Sequence, residues 1–219
     1  MNFKKLLAPV ALAAAFALAP AVSQAGLMIQ ITDGTTTLDV ADGSGLDGVG
    51  DAGTVGFNGA FGGWTVTAAF GTSASDPLAM HLSAVVVGDR TDGKVWIKFT
   101  HTGLDAAADP MPFAAFGGGA GAYGSQGGWA AYVDDGDQAF GTGQLVATSS
   151  GFATTGGSTS AALSGTYSAT IVSYFDYSGI GNWYPQGSSL DINLIPEPAG
   201  LALFGLGLVG LGAARRRKI

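Results

Sequence analysis

The side chains able to do chemistry in this 219-residue chain are few, and aspartate dominates them. Asp39, Asp42, Asp47 and Asp51 crowd the stretch "DVADGSGLDGVGD", and Asp134, Asp135 and Asp137 form a second group in "DDGD". Carboxylates on a flexible loop suit calcium, which takes roughly six to eight oxygen ligands. The spacing is not the alternation of an EF-hand loop, and residues 26–195 contain no Glu for a bidentate ligand. The competing reading is that each Asp stands near a glycine to serve a turn. A structural calcium is therefore the one cofactor left open, and no other is expected.

The only histidines are His81 and His101. Either one beside an Asp and a Ser would make a hydrolase base. No G-x-S-x-G elbow surrounds a serine and no H-E-x-x-H pair exists, so catalysis is not expected. There is no cysteine, which removes disulfides, thiol nucleophiles and Cys-ligated metals. Four tryptophans and six tyrosines remain. Trp96 is the sharpest of them, because strand alternation in "KVWIKFT" puts Val95, Ile97 and Phe99 inward and Lys94, Trp96 and Lys98 outward. An outward Trp offers a ring on which a sugar can stack.

The elements that must position these groups read as strands. "LMIQITD" (27–33) and "TTTLDVA" (35–41) alternate on either side of Gly34, which predicts a hairpin or bend. "GWTVTAAF" (63–70) would bury Trp64, Val66, Ala68 and Phe70 together, and "MHLSAVVV" (80–87) would bury Met80, Leu82, Ala84 and Val86. "WAAYV", "QLVAT", "TYSATIVSYF" and "SLDINLI" follow, with Asp-Gly pairs as turn signals. No segment of residues 26–195 keeps a helical period. The Gly-rich stretches 39–53 and 113–128 read as long surface loops. Eight to ten short strands predict an all-β fold, an antiparallel β-sandwich of jelly-roll-like or Ig-like type.

Both ends are address segments. Residues 1–25 combine Lys4 and Lys5, an apolar run and the small residues of "SQA", the pattern of a signal peptide that signal peptidase cuts between Ala25 and Gly26. The domain expected over 26–195 keeps three basic residues against fifteen acidic ones, a net of −12. So acidic a surface repels phosphate backbones, and nucleic acid is not an expected partner.

The C-terminal segment, 196–219, runs Pro196-Glu197-Pro198, an uncharged stretch 199–214, then Arg215, Arg216, Arg217 and Lys218. It contains a G-x-G-x-x-G match at 205–210, but without a preceding strand or a later acidic residue this is not a dinucleotide site. The uncharged stretch is a short membrane helix whose basic end stays cytoplasmic.

Triplet, helix and basic cluster in this order resemble the PEP-CTERM sorting signal. The resemblance implies processing by an exosortase near the Pro-Glu-Pro motif, a transient inner-membrane intermediate, and sorting to the cell surface, outer membrane or extracellular matrix. Ala199 stands where that signal often has Ser or Thr. Species with such signals typically make exopolysaccharide. The expected function is accordingly a structural or adhesive protein of the envelope or exopolysaccharide matrix. A glycan-binding module of the same matrix is the alternative, and a secreted hydrolase ranks third.

Overall fold

The computed structural model describes residues 26–75, 78–88, 93–106, 111–120, 126–178 and 185–195. The expected signal segment and the sorting tail from Pro196 onward lie outside the described residues. Twelve strands run through the described part: β1 (Leu27–Thr32), β2 (Thr37–Ala41), β3 (Thr54–Phe61), β4 (Trp64–Ser75), β5 (Leu78–Gly88) and β6 (Lys94–Asp105), then β7 (Met111–Ala120), β8 (Gln126–Asp134), β9 (Gln144–Ser150), β10 (Thr155–Ala161), β11 (Thr166–Asp176) and β12 (Pro185–Leu194). They form two six-stranded sheets, which we call A (β2-β1-β6-β11-β8-β9) and B (β10-β7-β12-β5-β4-β3). Every ladder is antiparallel, as the alternating patterns require. From β5 onward the chain crosses repeatedly between the sheets, so long-range ladders such as β6–β11 and β5–β12 close the sandwich.

The inner faces meet in one apolar core. Sheet A supplies Ile29, Ile31, Val95, Ile97, Phe99, Ile171 and Phe175, and sheet B supplies Met80, Leu82, Ala84, Val86, Phe113, Leu190 and Ile192, all essentially sealed from solvent. Trp64 packs on Tyr177 with ring centroids 4.9 Å apart, and the Tyr177 hydroxyl donates to the Val86 carbonyl at 2.6 Å. Gly34 takes φ +87° in the turn between β1 and β2, where Asp33 Oδ1 accepts the N–H groups of Thr35 and Thr36.

Three expectations are corrected. Phe70 does not share the buried face of Trp64 and Val66. The β4–β5 register shifts between Val66 and Ala68, and this irregularity reverses the parity beyond it, leaving Phe70 40% exposed. The stretch 113–128 is not one long loop, because most of it forms β7 and the start of β8. Its inward glycines are required by packing. A Cβ on Gly117 would meet Trp129 and Leu190, and one on Gly119 would collide with Phe152 and the Gly187 carbonyl. Backbone pairing to β10 and β12 then holds what propensity alone would not. The 39–53 stretch is a loop only after Ala41, where β2 ends. Strand β3, interrupted by Gly56 and Gly59, and strand β10, made of Gly, Ser and Thr up to Ala161, carry no clear signal in the sequence.

Candidate functional site

Strand alternation puts Trp96 on the outer face of sheet A, since Val95 and Ile97 on either side are fully buried. Its direct partner across the β6–β11 ladder is Tyr174, which lies outward for the same reason between buried Ser173 and Phe175. Both rings are half-buried. They spread in opposite directions. Trp96 leans toward the β1–β2 turn, its Cζ3 lying 3.7 Å from the place a Gly34 Cβ would occupy. Tyr174 lies across β8, where a Gly128 Cβ would be 2.6 Å from its Cε1. A Cβ on Gly128 would strike the Ser149 carbonyl of β9 first and this ring second, so both require glycine there.

The result is an aromatic shelf over β1, β6, β11 and β8, roughly 14 Å wide at the usual strand spacing. Lys98 stands two residues along β6 on the same face, and Gln30 opposite it donates to Asp39 Oδ1 at 2.9 Å. Lys94 Nζ forms an ion pair with Asp176 at 3.0 Å. Burial raises the Asp176 carboxyl, but bonds from Ser178 and Lys94 and the Lys94 charge outweigh it and hold the pKa below the ordinary value.

The loop aspartates are placed otherwise. Asp39 is on β2 and Asp42, Asp47 and Asp51 are in the loop after it, but the four are not gathered on one point. Among the described residues no group of three or more acidic or histidine side chains is arranged to hold a metal ion. Asp47 instead accepts the N–H groups of Gly43 at 2.9 Å and of Val49 and Gly56 at 3.0 Å, tying the loop to β3. Burial pushes its carboxyl up, and those three bonds more than offset this to leave the pKa lowered. Asp42 accepts from Gly53, and Asp51 offers its carbonyl to Thr54. The second cluster behaves alike: Asp134 accepts from Gln138, Asp135 from Ser164 and Asp137 from Gly103. Backbone N–H groups thus engage the carboxylates of Asp42, Asp47, Asp134, Asp135 and Asp137.

The two histidines are on different sheets. His81 Nδ1 lies 2.9 Å from Asp191 Oδ1 on the outer face of sheet B, both side chains more than 40% exposed. His101 Nδ1 lies 2.7 Å from Ser73 Oγ between the sheets. Burial lowers the His101 pKa below 6.5, and the Asp137 charge opposes it. Sequence alternation located Trp96, but Tyr174 and Asp191 are missed without the register. The only signal for them is their outward parity in "TIVSYF" and "SLDINL".

Gly26 is the first described residue, and its N–H donates to Thr102 Oγ1 at 3.2 Å. Ala25, Pro196, Glu197, Pro198, Arg215, Arg216, Arg217 and Lys218 lie outside the described residues. At the other end β12 runs to Leu194 and Ile195 N–H bonds the Pro112 carbonyl at 2.9 Å, leaving no linker before Pro196.

Among solved structures, the chain is similar to the adhesin domain of Epf from Streptococcus pyogenes at 12% identity and TM-score 0.41, over 78% of this chain and 60% of that one. It is similar to TmCBM61 in complex with β-1,4-galactotriose at 13% identity and TM-score 0.32, over 64% of this chain and 92% of that one. It is also similar to the enzymatically active domain of bacteriophage CBA120 tailspike protein 4 at 13% identity and TM-score 0.33, over 68% of this chain and 22% of that one. The chain thus spans less than two thirds of the length of the first and third of these. No curated protein matches it. At its end the comparison is decisive, because the PEP-CTERM protein-sorting motif matches residues 194–218. This chain therefore carries a PEP-CTERM protein-sorting motif that begins at the end of β12, the last strand among the described residues, and the motif implies an exported, exosortase-sorted protein of the cell surface.

Proposed function

We propose that the mature domain is a structural, adhesive component of the cell envelope or exopolysaccharide matrix, and that it holds polysaccharide on the outer face of sheet A. The observation that carries this reading is the Trp96–Tyr174 pair, two partly buried aromatic residues that are direct cross-strand partners in the β6–β11 ladder and whose rings spread to either side on one outer face. Aromatic faces stack on the C–H faces of sugars, while Lys98, Gln30 and Asp39 beside them offer hydrogen bonds to hydroxyls. The sorting motif, which indicates export to the cell surface, supports this reading. We further propose that the domain binds without catalysing. Support comes from the loop carboxylates, which are engaged with backbone N–H groups rather than facing a substrate across a cleft.

The test is retention of the purified protein on the producing organism's own exopolysaccharide. Trp96→Ala and Tyr174→Ala each weaken it by about tenfold, the scale of one lost aromatic contact. Both leave the unfolding temperature within a few degrees, because neither ring is in the core. Unchanged retention in the double variant contradicts the reading.

A further inference from the structure

The outer face of sheet B carries a second, differently built surface. Register places Thr72 of β4, His81 of β5, Asp191 of β12 and Phe116 of β7 in one row, with Ser83, Ser189 and Gly118 in the next. Over β5, β12 and β7 lies an open groove of about 480 Å³, with Phe116 and Asp191 along it and Gly187, Ser189 and Gly118 in its floor. That volume falls within the range of small-ligand sites, roughly 300–1,000 Å³.

The floor is informative because of what does not fill it. Gly117 and Gly119 are glycines since Trp129 and Phe152 occupy the space a side chain would need. Gly187 is different. Among the described residues a Cβ there would meet only the Ala84 carbonyl and Val85 Cγ2, both at 3.5 Å, which is ordinary contact. Its φ is not in the left-handed region either. Among the described residues nothing demands glycine at this position in β12, where glycine is disfavoured. A glycine within a strand marks a bulge, a bend or close approach by another group, and the unbroken register of both ladders at Gly187 leaves the last.

We propose that this groove is a binding site for neutral hexopyranose units of a polysaccharide. Phe116 is 55% exposed on a sheet face and presents its ring to the C–H face of a sugar. Asp191 accepts hydroxyl hydrogens, its carboxylate fixed by the 2.9 Å bond to His81, and the exposed Ser189 hydroxyl adds a donor and acceptor. Anionic sugars are disfavoured, since Asp191 is the carboxylate in the lining and the domain carries a net −12. A peptide strand has no edge to pair with here, because β5, β12 and β7 are each paired on both sides. The site does not depend on the sheet A shelf. The two outer faces point away from each other, so one domain with both sites bridges two polysaccharide chains.

The test is affinity electrophoresis of the purified protein in gels containing laminarin, hydroxyethyl cellulose or galactomannan, with polygalacturonate as the anionic comparison. The Trp96→Ala/Tyr174→Ala double variant serves as background, so that the groove is read alone. At least one neutral polymer retards this variant and polygalacturonate does not. Adding Phe116→Ala or Gly187→Val reduces the retardation by about tenfold or more, the scale of one stacking contact. Gly187→Val also unfolds at the same or a higher temperature, an outcome that a purely structural role for the glycine forbids. If Gly187→Val fails to fold, Phe116→Ala decides alone. Absence of retardation by all three neutral polymers, or retardation that survives Phe116→Ala, overturns the proposal.

Discussion

Replacing Asp47 by alanine separates the two readings of the acidic loop. The carboxylate accepts three backbone N–H groups, those of Gly43, Val49 and Gly56. Gly43 is exposed and water replaces its bond, while Val49 is partly buried and Gly56 is buried. Losing two such bonds costs about 1 kcal/mol each, or about 2 kcal/mol in all. For a domain of this size that lowers the midpoint of thermal unfolding by about 4–8 °C. Asp47→Asn keeps one oxygen acceptor and recovers about half of the loss.

Because the folded pKa of Asp47 is lowered, its contribution is present above pH 3.8 and disappears as pH falls through the folded value. The assay is circular dichroism melting of wild type and both variants at neutral pH, with and without EDTA. Turn chemistry predicts the graded loss and no effect of EDTA. A drop of several degrees on adding EDTA to the wild type, or an alanine variant that melts with it, refutes the reasoning and favours a calcium-bound loop.

Three further outcomes follow from the same geometry. Burial keeps the His101 pKa below 6.5, so a proton prefers the unfolded chain. The stabilisation is complete above about pH 6.5 and is lost as pH falls toward the folded value, and melting from pH 7 to 5 in wild type and His101→Gln checks this by a shallower slope in the variant. Gly88→Ala costs about 1–3 kcal/mol, because the added methyl collides with the buried Trp64 ring that packs on Tyr177; denaturant unfolding checks it. Deleting residues 196–198 leaves unprocessed protein in the inner membrane, and identical fractionation of deleted and intact chains contradicts the sorting account.

Strand existence was legible wherever apolar and polar residues alternate, as in β1, β5, β6 and β11, because a half-buried strand imposes period two on its sequence. It was illegible in β3, β7 and β10, where glycine and small polar residues are held by neighbours distant in the chain. Phe70 marks a different limit, since one register shift reverses parity and no local pattern announces it. The candidate sites fail to appear in the sequence for the same reason. Trp96 lies 78 residues from Tyr174, and His81 lies 110 from Asp191. Only the order of strands in each sheet makes them neighbours.

The account rests on a domain that is exported, trimmed at both ends and left holding polysaccharide. The most direct measurement is the intact mass of the native protein recovered from the cell surface or matrix, together with sugar analysis of what accompanies it. The account predicts a chain that begins at Gly26, lacks the segment beyond the Pro196-Glu197-Pro198 region, and carries or retains polysaccharide. A native protein whose mass extends to Ile219, recovered free of sugar, contradicts it.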